Sequence, residues 1–297
     1  IYSHTMDKVT RYTINNIHDA DTQMVISVTG AGSKSINWLL SVPGASKTLL
    51  EANIPYSESS QKLFLGDSEL SKSVSSNVAN ALAKESYIKA TRLKKSDIPV
   101  IGVGCTGAIS TERNRKGHNQ AFISIWTPNQ INEIHILLNK SDSNRTKDEE
   151  KISLLIIDQI AKIVLGNSKI PIPLADEDIV TENIRKFKSR IDSLIENQIS
   201  SFLKKEGAAD FIPDGKYSGV ILPGSFNPLH KGHIALKKYI SYKLNLDFAY
   251  ELSISNVDKP NLTSKEIVRR LEQFEKEDTV IVDKAPLFSE KSILFPN

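Results

Sequence analysis

His230 and His233 are the residues of this chain whose types and spacing most clearly predict chemistry. They lie three positions apart where a predicted helix begins, so both imidazoles would share one helix face. Helix N-termini attract anions through their backbone N–H groups, and Gly232 would let a phosphate approach that backbone closely. The spacing therefore predicts a phosphate site in which imidazoles stabilise charge that develops during a reaction. A structural helix cap and a structural metal site are the alternatives.

A predicted strand, turn and helix position the two histidines. Residues 220–222 form a short apolar run that glycine and proline bound on either side, which indicates a strand. Asn227-Pro228 indicates a turn. Apolar residues then recur at helical spacing as far as Ile240, so a helix is predicted to carry both imidazoles.

The segment from Gly224 to His233 resembles the HxGH signature of the nucleotidyltransferase superfamily, in its G-S-F-N-P-x-H-x-G-H form. The resemblance implies a Rossmann-like parallel sheet and transfer of a nucleoside monophosphate from ATP or CTP to a phosphorylated acceptor, with release of pyrophosphate. It implies Mg²⁺ as the companion of the nucleotide and catalytic roles for His230 and His233. It also implies nucleotide contacts from Gly224, Ser225, Phe226, Asn227 and Gly232.

Two further residues refine this expectation. Asn227 makes the signature resemble pyridine-mononucleotide adenylyltransferases more closely than cytidylyltransferases, so a pyridine mononucleotide is the expected acceptor. Lys259 follows the predicted strand 248–254, and ligands bind beyond the carboxyl ends of parallel strands. Lys259 is therefore a candidate phosphate contact, with a solvated turn lysine as the alternative. Arg269 and Arg270, on the next predicted helix, are interpreted as a solvated face.

Residues 217–297 are expected to form only part of the Rossmann-like nucleotidyltransferase domain, because the family's fold has further strands after the last one predicted here, residues 279–282. The chain also begins with Ile1 rather than methionine. We therefore expect either an incomplete sequence or a transferase half that is disabled.

The composition excludes several classes of protein. Apolar residues make up 39% and charged residues 25% of 297 positions, enough for two domains with ordinary cores. The net charge of +3 comes from interspersed charges, which argues against a nucleic-acid partner. No apolar run reaches the length of a membrane span. Cys105 is the single cysteine, which fits a reducing compartment, so we expect a cytoplasmic protein. The expected partners are small-molecule nucleotides. Homo-oligomer formation is left open.

Residues 1–166 are predicted to form an α/β layered domain, because predicted strands alternate with helices. The strands are expected at 24–29, 49–55 and 98–103, followed by a hairpin over 122–138. An amphipathic helix is predicted over 147–165. The glycine-rich turn after the first strand, residues 29–32, predicts a mononucleotide phosphate bound by backbone N–H groups.

The first domain also resembles the CinA C-terminal domain. The resemblance is carried by S-V-T-G-A at 27–31, S-V-P-G-A-S at 41–46, P-Y-S at 55–57 and L-G at 65–66. It implies an amidohydrolase of nicotinamide mononucleotide with Ser27 as nucleophile. The sequence departs from the family pattern at Ile26, where a glutamate is expected, and at Gln61, where a lysine is expected. A serine nucleophile needs a base that takes its proton. Lys62 and Lys34 are the two candidate bases.

Residues 167–216 are predicted to be a linker and a connecting helix. Prolines at 171 and 173 exclude both a helix and a central strand there. Apolar residues at helical spacing between 184 and 199 predict the helix, over 174–205. Two functions from different classes remain for the whole chain: a nucleotidyltransferase, and a protein that binds nucleotides without catalysis. Pyrophosphate release, measured alongside nucleotide binding, discriminates between them.

Overall fold

The computed structural model of the protein describes residues 6–66, 73–94, 98–111, 116–141, 144–187, 189–195, 199–204, 212–213, 217–255, 260–285 and 287–295. The chain divides into two compact units, Ile1–Lys186 and Phe187–Asn297. Each unit combines one sheet with helices, as the predicted α/β class requires.

The first unit is built on a six-stranded sheet. From edge to edge, its strands are β2 (Leu49–Asn53), β1 (Gln23–Thr29), β3 (Val100–Ala108), β4 (Asn119–Trp126), β5 (Gln130–Leu138) and β6 (Ile179–Lys186). β1 pairs in parallel with β2 and β3, and the remaining neighbours are antiparallel. The strands at 24–29 and 49–55 and the hairpin over 122–138 are thus confirmed within a few residues, whereas the strand predicted at 98–103 begins at Val100 and continues to Ala108.

Helices cover both faces of this sheet. They are α1 (Lys8–Asp19), α2 (Ser33–Ser41), α3 (Ala45–Thr48), α4 (Glu58–Leu65), α5 (Ser76–Leu93) and α6 (Arg145–Val164). Side chains of α1, α2 and α6 share one hydrophobic core with alternate residues of β1 and β3. The intervening residues of β1 face α5, as the Ser27–Ser86 hydrogen bond shows. The amphipathic helix over 147–165 is confirmed as α6.

The predicted connecting helix over 174–205 is wrong. Its first part forms β6, which pairs antiparallel with β5. Among the described residues of this range, Arg190–Ile195 is the helical part (α7) and the last residues form a further strand, Ser201–Lys204. Edge pairing prevails over helical spacing because β6 satisfies the free backbone groups of β5. Lys151 donates to the buried Asp178 at 2.6 Å, just ahead of β6. The first unit therefore runs to Lys186 rather than ending at residue 166.

The second unit contains a smaller sheet. Its strands lie in the order β8 (Ile212–Pro213), β7 (Ser201–Lys204), β11 (Val280–Asp283), β10 (Phe248–Ser253) and β9 (Val220–Pro223). β9, β10 and β11 are parallel, and β7 runs antiparallel to β11. Besides α7, the described helices of this unit are α8 (Lys231–Lys238), which continues as a π-helical segment Tyr239–Lys243, α9 (Ser264–Leu271) and α10 (Phe288–Leu294). The order β9-α8-β10-α9-β11 is that of consecutive parallel βαβ units, as the Rossmann-like prediction requires.

The two faces of the second sheet differ in chemistry. An aromatic cluster covers one face, where the Tyr250 ring contacts the rings of Phe226 and Phe274. The other face buries two carboxyl groups, those of Glu251 and Asp283. Lys291 of α10 donates to Glu251 at 2.7 Å on that face.

Candidate active site

The two histidines lie together at the start of α8, as their spacing predicts. His230 is the N-cap and His233 is the third helical residue. Their rings stack with centroids 3.6 Å apart and an angle of 21° between the planes. The sequence therefore positions two imidazoles within one small area at the carboxyl end of β9.

Each imidazole also caps the helix. The Gly232 N–H donates to His230 Nδ1 at 3.2 Å, and the His230 N–H donates to His233 Nδ1 at 3.3 Å. This is the reciprocal arrangement of a capping box, with histidine in both side-chain positions. A nitrogen that accepts a hydrogen bond carries no proton in the neutral ring, so both rings have the Nε2–H tautomer. Two Nε2–H donors therefore remain for a ligand.

The local environment favours the neutral form of His233. Partial burial lowers the pKa of His233, and the neighbouring His230 lowers it further. Protonation would also put a proton on Nδ1, which then could no longer accept from the His230 N–H. His233 is therefore suited to donate a hydrogen bond to a phosphate oxygen while uncharged.

Two backbone donors at the start of this helix, the N–H groups of Gly232 and His233, are engaged within the chain, which corrects one expectation. The N–H of Gly232 donates to the His230 ring, and the N–H of His233 donates to the His230 carbonyl at 3.0 Å. A Cβ atom at Gly232 would lie 3.1 Å from two atoms of the His230 ring. The small size of Gly232 thus makes room for the imidazole rather than for a phosphate.

The signature loop, residues 224–229, connects β9 to α8. The Gly224 N–H donates to the Glu251 carbonyl at 2.9 Å, which ties the loop to β10. Ser225 and Asn227 are exposed, whereas Phe226 is only 1% exposed and has a φ of 43°. The Asn227–Pro228 peptide bond is cis. Because its ring is buried, Phe226 supports the loop and presents no ring surface to a nucleotide.

The Phe226 ring also contacts the histidine pair. Its centroid lies 5.1 Å from that of His233 in an edge-to-face arrangement. The same ring packs against Tyr250 and Phe274. The aromatic cluster of the sheet thus continues directly into His233.

Two residues after the signature were missed as part of the site. Arg270, which we interpreted as part of a solvated face, is only 9% exposed and donates to the Ser225 carbonyl at 2.9 Å. Gln273 donates to the Phe226 carbonyl and accepts from the Leu229 N–H. Periodic patterns in a sequence indicate contacts between residues close in the chain, whereas more than forty residues separate the partners here. The aromatic residue next to Gln273 was the one available signal of a buried helix end.

Asn227 and Arg269 form an exposed contact at the rim of the loop. Arg269 donates to Asn227 Oδ1 at 2.6 Å. The same guanidinium donates twice to Glu266, and hydrogen bonds from Arg269 and Arg270 lower the pKa of Glu266 to about 2. Glu266 therefore stays ionised and orients both arginines towards the loop.

The remaining site expectations concern Lys259 and Mg²⁺. Lys259 lies outside the described residues. Within the described ranges there is no group of three or more histidine, cysteine or acidic side chains placed to hold a metal. Mg²⁺ is often bound through substrate phosphates and few protein ligands.

Ser27, the expected nucleophile of the first unit, is fully buried. Its hydroxyl is 2.8 Å from the Ser86 hydroxyl of α5. The two candidate bases are engaged elsewhere: Lys62 pairs with Glu58 at 2.8 Å and Lys34 pairs with Glu150 at 3.3 Å. Within the part of the chain that the structure describes, Ser27 is therefore hydrogen-bonded to Ser86, and Lys62 and Lys34 pair with carboxylates instead.

The expected mononucleotide site after β1 is occupied by the protein itself. The carboxylate of Glu149 accepts from the N–H groups of Gly32 and Lys34 at 3.0 Å and from the Ser33 hydroxyl at 2.8 Å. A Cβ atom at Gly30 would lie 2.0 Å from the Gly107 carbonyl oxygen, so the turn also packs closely on β3. An internal anion satisfies these donors, and the prediction of a phosphate there is wrong.

None of the described helices is both long enough and apolar enough to cross a membrane.

Residues 221–287 match the model of the family described as Cytidylyltransferase-like. The matched range begins in β9 and includes the signature loop, α8 and α9. It indicates nucleotidyl transfer as the general chemistry of this part of the chain. No curated protein matches the sequence.

Solved structures resemble the chain over about half its length. The competence/damage inducible protein CihA from Agrobacterium tumefaciens gives a TM-score of 0.42 with 15% identity, over 55% of this chain and 97% of that chain. A competence-damaged protein (CinA) superfamily protein from Klebsiella pneumoniae gives 0.43 with 11% identity, over 54% of this chain and 97% of that chain. A third, the CinA superfamily protein from Enterobacter cloacae, gives a TM-score of 0.41 with 14% identity, over 56% of this chain and 96% of that chain. Resemblance at this level does not extend to activity.

Proposed function

We propose that the second unit transfers a nucleoside monophosphate from ATP or CTP to a phosphorylated acceptor. The observation that carries the proposal is the pair of stacked imidazoles at the start of α8, whose Nδ1 atoms accept from the backbone. That arrangement leaves two Nε2–H donors side by side. Two adjacent donors suit the oxygens of a polyphosphate, and they need no reorganisation when charge develops.

The reaction is an in-line displacement at phosphorus. A phosphate oxygen of the acceptor attacks the α-phosphorus of the nucleoside triphosphate and forms a new P–O bond. The bond from the α-phosphorus to the oxygen that bridges to the β-phosphate breaks, and pyrophosphate leaves with that electron pair. His230 and His233 donate to phosphate oxygens as negative charge accumulates on them.

The acceptor we propose is a pyridine mononucleotide. This part of the proposal rests on the resemblance of the signature around Asn227 to pyridine-mononucleotide adenylyltransferases. The exposed position of Asn227 at the rim of the loop is compatible with a contact to the acceptor. Nicotinamide and nicotinate mononucleotides are the first acceptors to test, and phosphorylated alcohols are the control set.

Steady-state kinetics on the full chain test the proposed chemistry. We expect His233→Ala to lower kcat on the order of 100-fold, because a preorganised donor acts mainly in the transition state. The KM for the nucleotide should change much less. His233→Asn should retain part of the rate, since its amide still donates a hydrogen bond. Unchanged kcat in His233→Ala would overturn the role of the pair.

The competing function is nucleotide binding without catalysis. Calorimetry with ATP or CTP measures binding, and a pyrophosphate assay with each acceptor measures turnover. Binding with no pyrophosphate release by the wild-type chain would favour the competing function. Release that depends on both histidines would support transfer.

A further inference from the structure

The signature loop depends on a second helix for its conformation. Phe226 adopts a φ of 43°, a left-handed conformation that residues other than glycine adopt rarely. Such a conformation persists only where the surroundings hold it. The loop also connects directly to His230, so any rotation of the loop moves the first imidazole.

The carboxamide of Gln273 spans the middle of this loop. Its Nε2 donates to the Phe226 carbonyl at 2.9 Å, and its Oε1 accepts from the Leu229 N–H at 2.8 Å. Both bonds are made to backbone atoms, one at the left-handed residue and one at the residue before His230. A single side chain thereby fixes the distance across the turn.

Arg270 holds the other end of the loop. It donates from Nη1 to the Ser225 carbonyl, while its Nε donates to Glu266 at 2.7 Å. Because Glu266 orients the guanidinium, the planar group cannot turn away without losing a charge-assisted bond. Arg270 and Gln273 together contact the backbone of Ser225, Phe226 and Leu229.

We infer that Arg270 and Gln273 are positioning residues, which hold the histidine pair in its reactive geometry by fixing the loop that precedes it. The inference rests on the proposed function for its effect on rate. Neither side chain is required to touch a substrate. Gln273 acts on His230 through its bond to the Leu229 N–H, and on His233 through its bond to Phe226, whose ring contacts the His233 ring.

Gln273→Met is the sharpest test, because it keeps the length of the side chain and removes both bonds to the loop, together with the bond from Nε2 to the Arg270 carbonyl at 3.2 Å. A misplacement of about 1 Å costs on the order of 100-fold in rate. We expect kcat to fall by about 10- to 100-fold while the KM for the nucleotide changes by less than about threefold. Gln273→Glu keeps an acceptor for the Leu229 N–H and loses the donor to Phe226, so its kcat should be intermediate. Glu272→Met, at the exposed neighbouring position, is the matched control and should match the wild type.

The nitrogen-15 NMR signals of the two imidazoles give a readout that needs no activity. We expect Gln273→Met to shift the His233 signals and to mix its tautomers, whereas Glu272→Met leaves them unchanged. If the wild-type chain transfers no nucleotide, the proposed function fails, and these signals alone decide the positioning role. Should Gln273→Met unfold, Gln273→Glu decides it by the same signals. Unchanged signals in a folded Gln273 variant would overturn the inference, whether or not kcat falls.

Discussion

At the scale of single residues, the histidine pair combines two roles in the same atoms. Nδ1 of each ring accepts from the backbone, while Nε2 remains available. The helix start and the proposed donors therefore depend on one protonation state. This dependence makes acid pH a direct probe of the site.

We expect His233 to titrate below the ordinary histidine value of about 6.5, because burial and His230 lower its pKa. The unfolded chain then binds more protons than the folded chain as the pH falls below 6.5. The contribution of His233 to the free energy of unfolding is therefore fully present above about pH 6.5 and is lost as the pH falls through the lowered pKa. Long-range proton–nitrogen NMR between pH 5 and pH 8 measures both the tautomer and the midpoint. A midpoint above 6.5, or an Nδ1–H tautomer, would contradict the capping geometry.

The buried Ser27–Ser86 bond leads to a second expectation at this scale. Ser27→Ala should lower the free energy of unfolding by about 1 kcal/mol, because it leaves a buried hydroxyl without its partner. The double variant Ser27→Ala with Ser86→Ala should recover much of that loss, since both polar groups are then removed. Chemical denaturation of the wild type, the two single variants and the double variant gives the coupling free energy between Ser27 and Ser86. If the two changes are simply additive, the bond contributes nothing to folding.

At the scale of elements, Glu149 of α6 acts as the N-terminal cap of α2. Helix caps contribute about 0.5–2 kcal/mol, and the bonds here are made to a charged group. We expect Glu149→Ala to lower the free energy of unfolding by about 2 kcal/mol and Glu149→Gln by less, because the amide keeps an acceptor oxygen. Denaturant titration measures both. Glu150→Gln, which alters a partly exposed ion pair with Lys34, is the matched control with a smaller expected loss.

Local patterns in the sequence predict the elements better than the contacts between them. The amphipathic helix α6 and the 122–138 hairpin depend on residues close in the chain, and both are confirmed. The strand–turn–helix around His230 is predicted for the same reason. β6 was missed because pairing with β5 is decided by the free edge of that strand and by contacts such as Arg185 with Glu133. The Glu149 cap bridges 117 positions to Gly32, a separation that no periodicity reveals.

At the scale of the whole molecule, the two units should respond differently to alkaline pH. Burial, and then the adjacent Glu251 carboxylate, raise the pKa of Asp283 in the second unit to about 8. The folded chain holds a proton that the unfolded chain releases near pH 4. Stability from this group is therefore greatest below about pH 4 and is lost as the pH rises through about 8. Lys291, which donates to Glu251 at 2.7 Å, lowers the pKa of Asp283, but by less than burial and Glu251 raise it.

Hydrogen exchange followed by mass spectrometry can separate the two units. Between pH 7 and pH 9, after correction for intrinsic rates, we expect protection to fall in β10 and β11 and to change less in β1 and β3. Asp283→Asn should remove most of this difference, because its side chain is neutral throughout. Equal pH dependence in both sheets would show that the carboxyl pair does not govern the stability of the second unit.

The shared role of the histidines bears on how this signature changes as sequences diverge. A lineage that lost the reaction would still be selected to keep His230 and His233, since both cap α8. Asn227 and Arg269, which contact each other, are both exposed. Drift after loss of activity should therefore appear first at positions 227 and 269, with the histidines still in place. Among divergent copies, those two positions would be the earlier record of whether transfer is still under selection.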